Sequence, residues 1–134
     1  MISLADRAAD EVRALHATFV ALFTGRSNDY ARCAAALADD FWMISPDGLH
    51  LGRDQVLEVI RTAAAPPDFL ISIRGVRIIG EYPDSVLLHY IEEQYRDLQT
   101  TRRLSTALFT AEARAPLGVV WRYLHETWMP DSAG

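Results

Sequence analysis

The sequence predicts an α+β fold: three N-terminal helices and a short hairpin packed on a strongly curved antiparallel sheet. Three observations predict it. Leu4, Ala8, Val12, Leu15, Phe19 and Leu22 recur at spacings of three and four, the stripe of one long amphipathic helix. The hydrophobic period then changes from helical to two-residue at Phe69. From there to the end, long strand-like runs alternate with short turns, and strands joined that way are antiparallel neighbours. A sheet of such strands, curled around the long helix, forms a cone with an internal cavity.

Each element has a local cause. Ser3 and Asp6 resemble a capping box ahead of the first helix, and Gly25 supplies its stop. Arg7, Asp10, Glu11 and Arg13 fall mostly off the apolar stripe. Ser27-Asn28-Asp29 restarts a shorter helix with Tyr30, Cys33, Ala34 and Leu37 inward, and Asp39-Asp40 ends it. Apolar residues 41–45 turn through Pro46-Asp47-Gly48 into 49–51, a hairpin in which Pro presets one dihedral and Gly permits a positive one. A third helix spans 53–64 with Val56, Leu57 and Ile60 inward, and Pro66-Pro67 cannot continue it. Strands follow at 69–82, bent at Gly75, then at 85–97, 102–113 and 119–129, with 130–134 frayed. The whole chain, 1–134, reads as one domain without repeats or linker.

Composition narrows the function classes. Half of the residues are apolar, the formal net charge is -5, and no basic cluster exceeds Arg102-Arg103. That balance argues against nucleic acid or an anionic membrane as partner. There is no Lys, which removes Schiff-base chemistry and the lysine of a phosphate-binding loop. Cys33 is alone, so no intramolecular disulfide or thiolate cluster forms. His16 and His50 lack a metal-spaced partner, and no zinc, nucleotide or nucleophile-elbow motif is present. No cofactor and no metal are expected. No secretory signal and no stretch of roughly 20 apolar residues is found, so a cytoplasmic location is expected.

The chemistry concentrates in residues 85–95. Val86, Leu88, Tyr90, Glu92 and Gln94 share one strand face, and Leu87, His89, Ile91, Glu93 and Tyr95 share the other. Each face begins apolar and ends polar, as in a sheet with a closed floor and an open mouth. Tyr90, Glu92 and Gln94 are successive same-face neighbours about 7 Å apart. They either line a pocket, where burial would raise the Glu92 pKa toward neutrality, or form a polar rim or dimer contact. His89 and Glu93, about 13 Å apart along the strand, cannot share a metal and read as interface or structural residues. Arg103 and Ser105 lie across the next hairpin; Arg103 either holds a carboxylate ligand or pairs with Glu92 or Glu93. On the last strand Trp121, Tyr123, His125 and Thr127 alternate with Arg122, Leu124, Glu126 and Trp128, and the sequence leaves open which set faces inward. His125 is either a general base or structural. Glu126 pairs with Arg122 or an arginine of the adjacent strand. Trp42 is a pocket wall, a dimer contact or core, and Cys33 reads as inert and buried.

The order of these pieces resembles the nuclear transport factor 2-like superfamily, in particular its bacterial SnoaL-like branch. The resemblance rests on the first helix, Ala36-Leu-Ala-Asp-Asp-Phe41, the Ser45-Pro-Asp-Gly48 turn, Gly52-Arg-Asp54, Arg103-Leu-Ser-Thr-Ala-Leu-Phe109 and Trp121-Arg-Tyr-Leu-His-Glu-Thr-Trp128, which together cover nearly the whole chain. It implies a cone-shaped, cystatin-like fold, an apolar cavity and a homodimer formed through the open sheet. Function does not follow, because relatives range from ketosteroid isomerase and scytalone dehydratase to carrier and association domains. The isomerase pattern places a carboxylate base just after helix two. Asp39 or Asp40 stands near that position, but 41–45 offers no inward carboxylate. The expectation is a domain that binds a small hydrophobic or aromatic molecule. Its candidate catalytic residues are Glu92, His125 and Tyr90; its candidate ligand-binding residues are Trp42, Gln94, Arg103 and Ser105. Cofactor-free isomerase, dehydratase, cyclase or epoxide-hydrolase chemistry fits such a set, and a non-catalytic association or carrier domain is the alternative.

Overall fold

The computed structural model describes residues 2–130. Helix α1 spans Leu4–Phe23, α2 Tyr30–Ala36 and α3 Arg53–Thr62. The strands are β1 Leu37–Ile44, β2 His50–Gly52, β3 Leu70–Glu81, β4 Ser85–Arg96, β5 Gln99–Ala111 and β6 Val119–Trp128. They form one open sheet in the order β2-β1-β6-β5-β4-β3. All neighbours are antiparallel except β1 and β6, which run parallel.

Ser3, Gly25 and Asp29, expected at the helix ends, are found there. Ser3 Oγ accepts from the Asp6 N–H at 3.0 Å, and Gly25 leaves α1 with φ of 78°. Asp29 accepts from the Arg32 N–H at 3.2 Å. The last carbonyls around α2 are met by Arg53, which donates to Ala34 O at 2.8 Å and Leu37 O at 3.4 Å. Helix α1 lies across the sheet against β3, β4 and β6. The core forms between them from Ala8, Val12 and Leu15 of α1 and Val86, Leu88, Phe109, Val119 and Trp121 of the strands.

Three sequence expectations are corrected. The second helix ends at Ala36 rather than at Asp39-Asp40, which lie exposed within β1. The hairpin is part of the main sheet, because β1 pairs with β6 in parallel, a contact between residues some eighty positions apart that local pattern does not encode. Residues 98–101, the polar turn left between the strands expected at 85–97 and 102–113, reduce to a tight two-residue turn at Asp97 and Leu98, with φ of 51° and 64°, and β5 starts at Gln99. The bend expected at Gly75 is present, with φ of 60° and a register shift between Arg74 and Arg77. The frayed end expected at 130–134 lies, from 131 on, outside the described residues. Among the described residues no helix is long and apolar enough to cross a membrane.

Candidate functional site

Strand register decides which side chains meet. Glu92 of β4 stands opposite Arg103 of β5, which stands opposite Trp128 of β6. One row further in, Tyr90, Ser105 and Glu126 form a second line across the same strands. A register shift where Leu108 and Phe109 meet Tyr123 and Trp121 makes Arg122 the extra residue of β6. That bulge resets the alternation: Trp121 shares the inner face with Leu124, Glu126 and Trp128, not with Tyr123 and His125.

The inner face bounds a cavity of about 440 Å³, within the range of roughly 300–1,000 Å³ common for small-molecule sites. Its walls are mostly apolar, from Leu15, Phe19 and Phe23 of α1, Val59 and Ile60 of α3, and Met43 of β1. Five polar or charged side chains enter from the sheet and α1: His16, Glu92, Gln94, Arg103 and Glu126.

His16 and Glu92 form a fixed ion pair. His16 Nδ1 donates to Val12 O at 2.6 Å, so its other nitrogen, 3.0 Å from Glu92 Oε1, must also carry a proton to bond a carboxylate. Gln94 Nε2 donates to Glu92 Oε2 at 2.6 Å, so both carboxylate oxygens are engaged. Burial opposes charge on both groups, but each stabilises the other. The His16 pKa rises above 6.5, while Glu92 falls to about 2, with Arg103 and Gln94 assisting His16.

Glu126 goes the other way. Burial and the nearby Glu92 carboxylate push it up to about 7, against the pull of Arg103 and His16. Its one ionic contact among the described residues is loose, Arg103 Nη1 at 3.6 Å from Oε1. The Arg103 guanidinium packs over the Trp128 ring at 4.7 Å, and its buried Nε has no hydrogen-bond partner among the described residues. Trp128 Nε1 in turn donates to Asp47 Oδ1 at 2.9 Å, tying the hairpin turn to the end of β6.

The structure divides the residues singled out in the sequence. Glu92, Gln94 and Arg103 line the cavity. Tyr90 and Ser105 are fully buried on the same face beneath it; Tyr90 packs edge-on to His16 and Trp121, and burial raises its pKa well above the usual value. Its hydroxyl and Ser105 Oγ have no hydrogen-bond partner among the described residues. His125 and Trp42 are on the outer face of the sheet, away from the cavity: His125 is exposed, and Trp42 packs on His50 and Tyr123. Arg103 pairs with Glu126 rather than with Glu92 or Glu93; Glu93 is on the outer face and takes Arg74 and Arg102 instead. Glu126 does not pair with Arg122, which bonds Asp40 and Thr110. Burial lifts the Cys33 thiol to about 11.

Two buried charged residues escaped the sequence reading. His16 sits one position past Leu15 on the edge of the apolar stripe, and Glu11, read as off the stripe, is fully buried. Glu11 accepts from both terminal nitrogens of the Arg32 guanidinium, at 2.7 and 3.3 Å, and from the Trp121 Nε1–H at 3.1 Å. The usable signal was Val12/His16 at one helical turn, which aims the imidazole at the face where β4 turns polar.

Comparison with solved structures shows what this arrangement is similar to. An NTF2-like protein of unknown function from Pseudomonas aeruginosa superposes with a TM-score of 0.82 at 27% identity, covering 92% of this chain and 98% of its own. The CaMKII hub of S. rosetta gives 0.78 at 11% identity, over 95% and 98%. A ketosteroid isomerase-like protein from Parabacteroides distasonis gives 0.64 at 12%, over 89% and 86%. No protein-family profile matches the chain, and no curated protein matches it at a significant level. The chain has the nuclear transport factor 2-like fold.

Proposed function

We propose that this nuclear transport factor 2-like domain binds a small, largely apolar molecule in its cavity and exchanges a proton with it through Glu126. One observation carries the reading: a buried carboxyl group with a pKa of about 7 lies beside an arginine at the polar end of an otherwise apolar cavity. A group poised near neutral pH is the condition for general acid–base work. Glu92, held ionised by His16 and Gln94, sets the field around Glu126 instead of moving the proton itself. Arg103 supplies the positive charge that would steady a developing oxyanion. Isomerisation, dehydration, cyclisation and epoxide opening are the cofactor-free reactions that such a set supports, and the ketosteroid isomerase-like neighbour is consistent with that group. Native mass spectrometry of the purified chain tests the binding: a retained ligand adds its own mass, and Phe19→Arg, which puts a charge into the cavity wall, should remove it. If the purified chain carries no added mass and takes up no apolar probe, the reading fails.

A second reading is favoured by the outer face of the sheet. Trp42, 39% exposed, and Leu104, 37% exposed, lie there with Tyr123, His125 and Glu93. Trp42 and Leu104 offer apolar surface to a partner on this face, and the hub neighbour is consistent with self-association. This face would join two copies of the chain, with or without catalysis in the cavity. Leu104→Arg should shift the sedimentation coefficient toward that of a monomer while the far-ultraviolet circular dichroism stays unchanged. A wild-type chain that sediments as a monomer at high concentration removes this second reading.

A further inference from the structure

We propose that the cavity takes an apolar anion, a carboxylate on a hydrocarbon or aromatic body, seated on Arg103 and bound together with one proton held by Glu126. This rests on the cavity being a ligand site and names the class of ligand.

Arg103 is the first part of the argument. Its side chain is 15% exposed, and its ion pair with Glu126 is a single contact at 3.6 Å, beyond ordinary hydrogen-bond length. Its buried Nε has no partner among the described residues. A guanidinium has five N–H donors in a planar fork, and leaving such donors unmet in a buried site is costly. Glu92, directly across the strand pair, does not meet them, because His16 and Gln94 already occupy its two oxygens. The fork is therefore held in place by Trp128 with donors to spare, the arrangement that a carboxylate fills with two parallel bonds.

The charge balance supplies the proton. The groups that face Glu126 are Glu92 and the neutral, fully buried Tyr90 from β4, Arg103 from β5 and His16 from α1, with the protonated Cys33 thiol of α2 on the cavity wall and Asp47 exposed at the hairpin turn; β3 and α3 line the cavity only with Ile71, Val56, Val59 and Ile60. His16 and Glu92 cancel. With Glu126 protonated, the interior carries the single positive charge of Arg103, which one anion neutralises. With Glu126 ionised, the interior is already neutral, and an anion would add an unpaired buried charge. Protonated Glu126 also becomes an O–H donor toward the same head group. Anion binding and protonation of Glu126 are thus linked, and the apolar body of the ligand lies against Leu15, Phe19, Phe23 and Met43.

Isothermal titration calorimetry on the whole chain, with decanoate and decan-1-ol as probes, tests this. Decanoate should bind about tenfold or more tighter than decanol below the Glu126 titration, and should weaken by about tenfold per pH unit above it. At about pH 8 its binding should take up close to one proton, read from the dependence of the enthalpy on buffer ionisation heat. Glu126→Gln should abolish both the proton uptake and the pH slope, and Arg103→Met should lose decanoate while keeping decanol. The wild-type proton uptake decides the matter even where a variant fails to fold. Decanol binding as tightly as decanoate overturns the anion, decanoate binding without proton uptake overturns the proton linked to it, and either leaves the apolar cavity standing. Neither probe binding overturns both the anion and the ligand site on which it rests.

Discussion

Glu11 shows what a single residue does in this fold. It is a fully buried carboxylate held by Arg32 and by the Trp121 indole, joining α1, α2 and β6 at one point. Removing one partner of such a pair leaves the other charge uncompensated, a loss of about 3–5 kcal/mol, whereas replacing both partners with apolar groups is far milder. Glu11→Ala should therefore lower the urea-unfolding free energy by about 3 kcal/mol. A Glu11→Leu, Arg32→Leu double variant should recover most of that loss, and equal losses in the two proteins would show that the pair contributes nothing beyond packing. Neither Glu11 nor His16 was legible as buried from the sequence, for a physical reason. Burial of a charge depends on a partner brought by the fold, and these partners lie 21 and 76 positions away. Apolar positions needed no partner, so Val12, Leu15 and Leu22 were placed correctly from spacing alone.

At the scale of the element, what was legible tracks how local the cause is. The caps of α1, the Pro46-Asp47-Gly48 turn and the bend at Gly75 are each set by residues in contact along the chain, and each was readable. The inner face of β6 was not, because the bulge at Arg122 flips the alternation, and a bulge is fixed by pairing with β5. The sequence therefore leaves Glu126 undecided and points to His125, whereas the two lie on opposite faces of the sheet. The β4–β5 turn offers a separate test. Asp97 and Leu98 both adopt positive φ, and Leu98 is 85% exposed, so its side chain gives nothing back for the strain. A non-glycine residue in that region costs about 1–2 kcal/mol, partly offset by the chain entropy that glycine loses. Leu98→Gly should raise stability by about 0.5–1 kcal/mol in urea titration. A destabilised variant would mean that Leu98 makes a contact in solution, such as one with a second copy of the chain.

For the whole molecule, the cavity charges make stability depend on pH in a direction that can be worked out. Glu92 is lowered to about 2 from 4.5, so its contribution is complete above pH 4.5 and is lost as the pH falls through about 2. His16 is raised above 6.5, so its contribution is complete below 6.5 and is lost as the pH rises through the folded value. Glu126 is raised to about 7 from 4.5, so the folded chain holds a proton that the unfolded chain releases, and stability falls across that interval and then levels. Between pH 5 and pH 8 the Glu92 contribution is already complete and adds no slope, while His16 and Glu126 agree in sign: the fold is more stable at about pH 5 than at about pH 8. The Glu126 part is at most about 3 kcal/mol for a shift of that size. Thermal unfolding followed across the range should show the midpoint dropping by several degrees from the lower to the higher pH. Glu126→Gln should flatten the part of the curve between 4.5 and 7 and leave the acid limb, which belongs to Glu92, in place. A wild-type midpoint that rises with pH over that interval would mean that Glu126 is ionised in the folded chain throughout, and with it would go the proton assigned to the cavity.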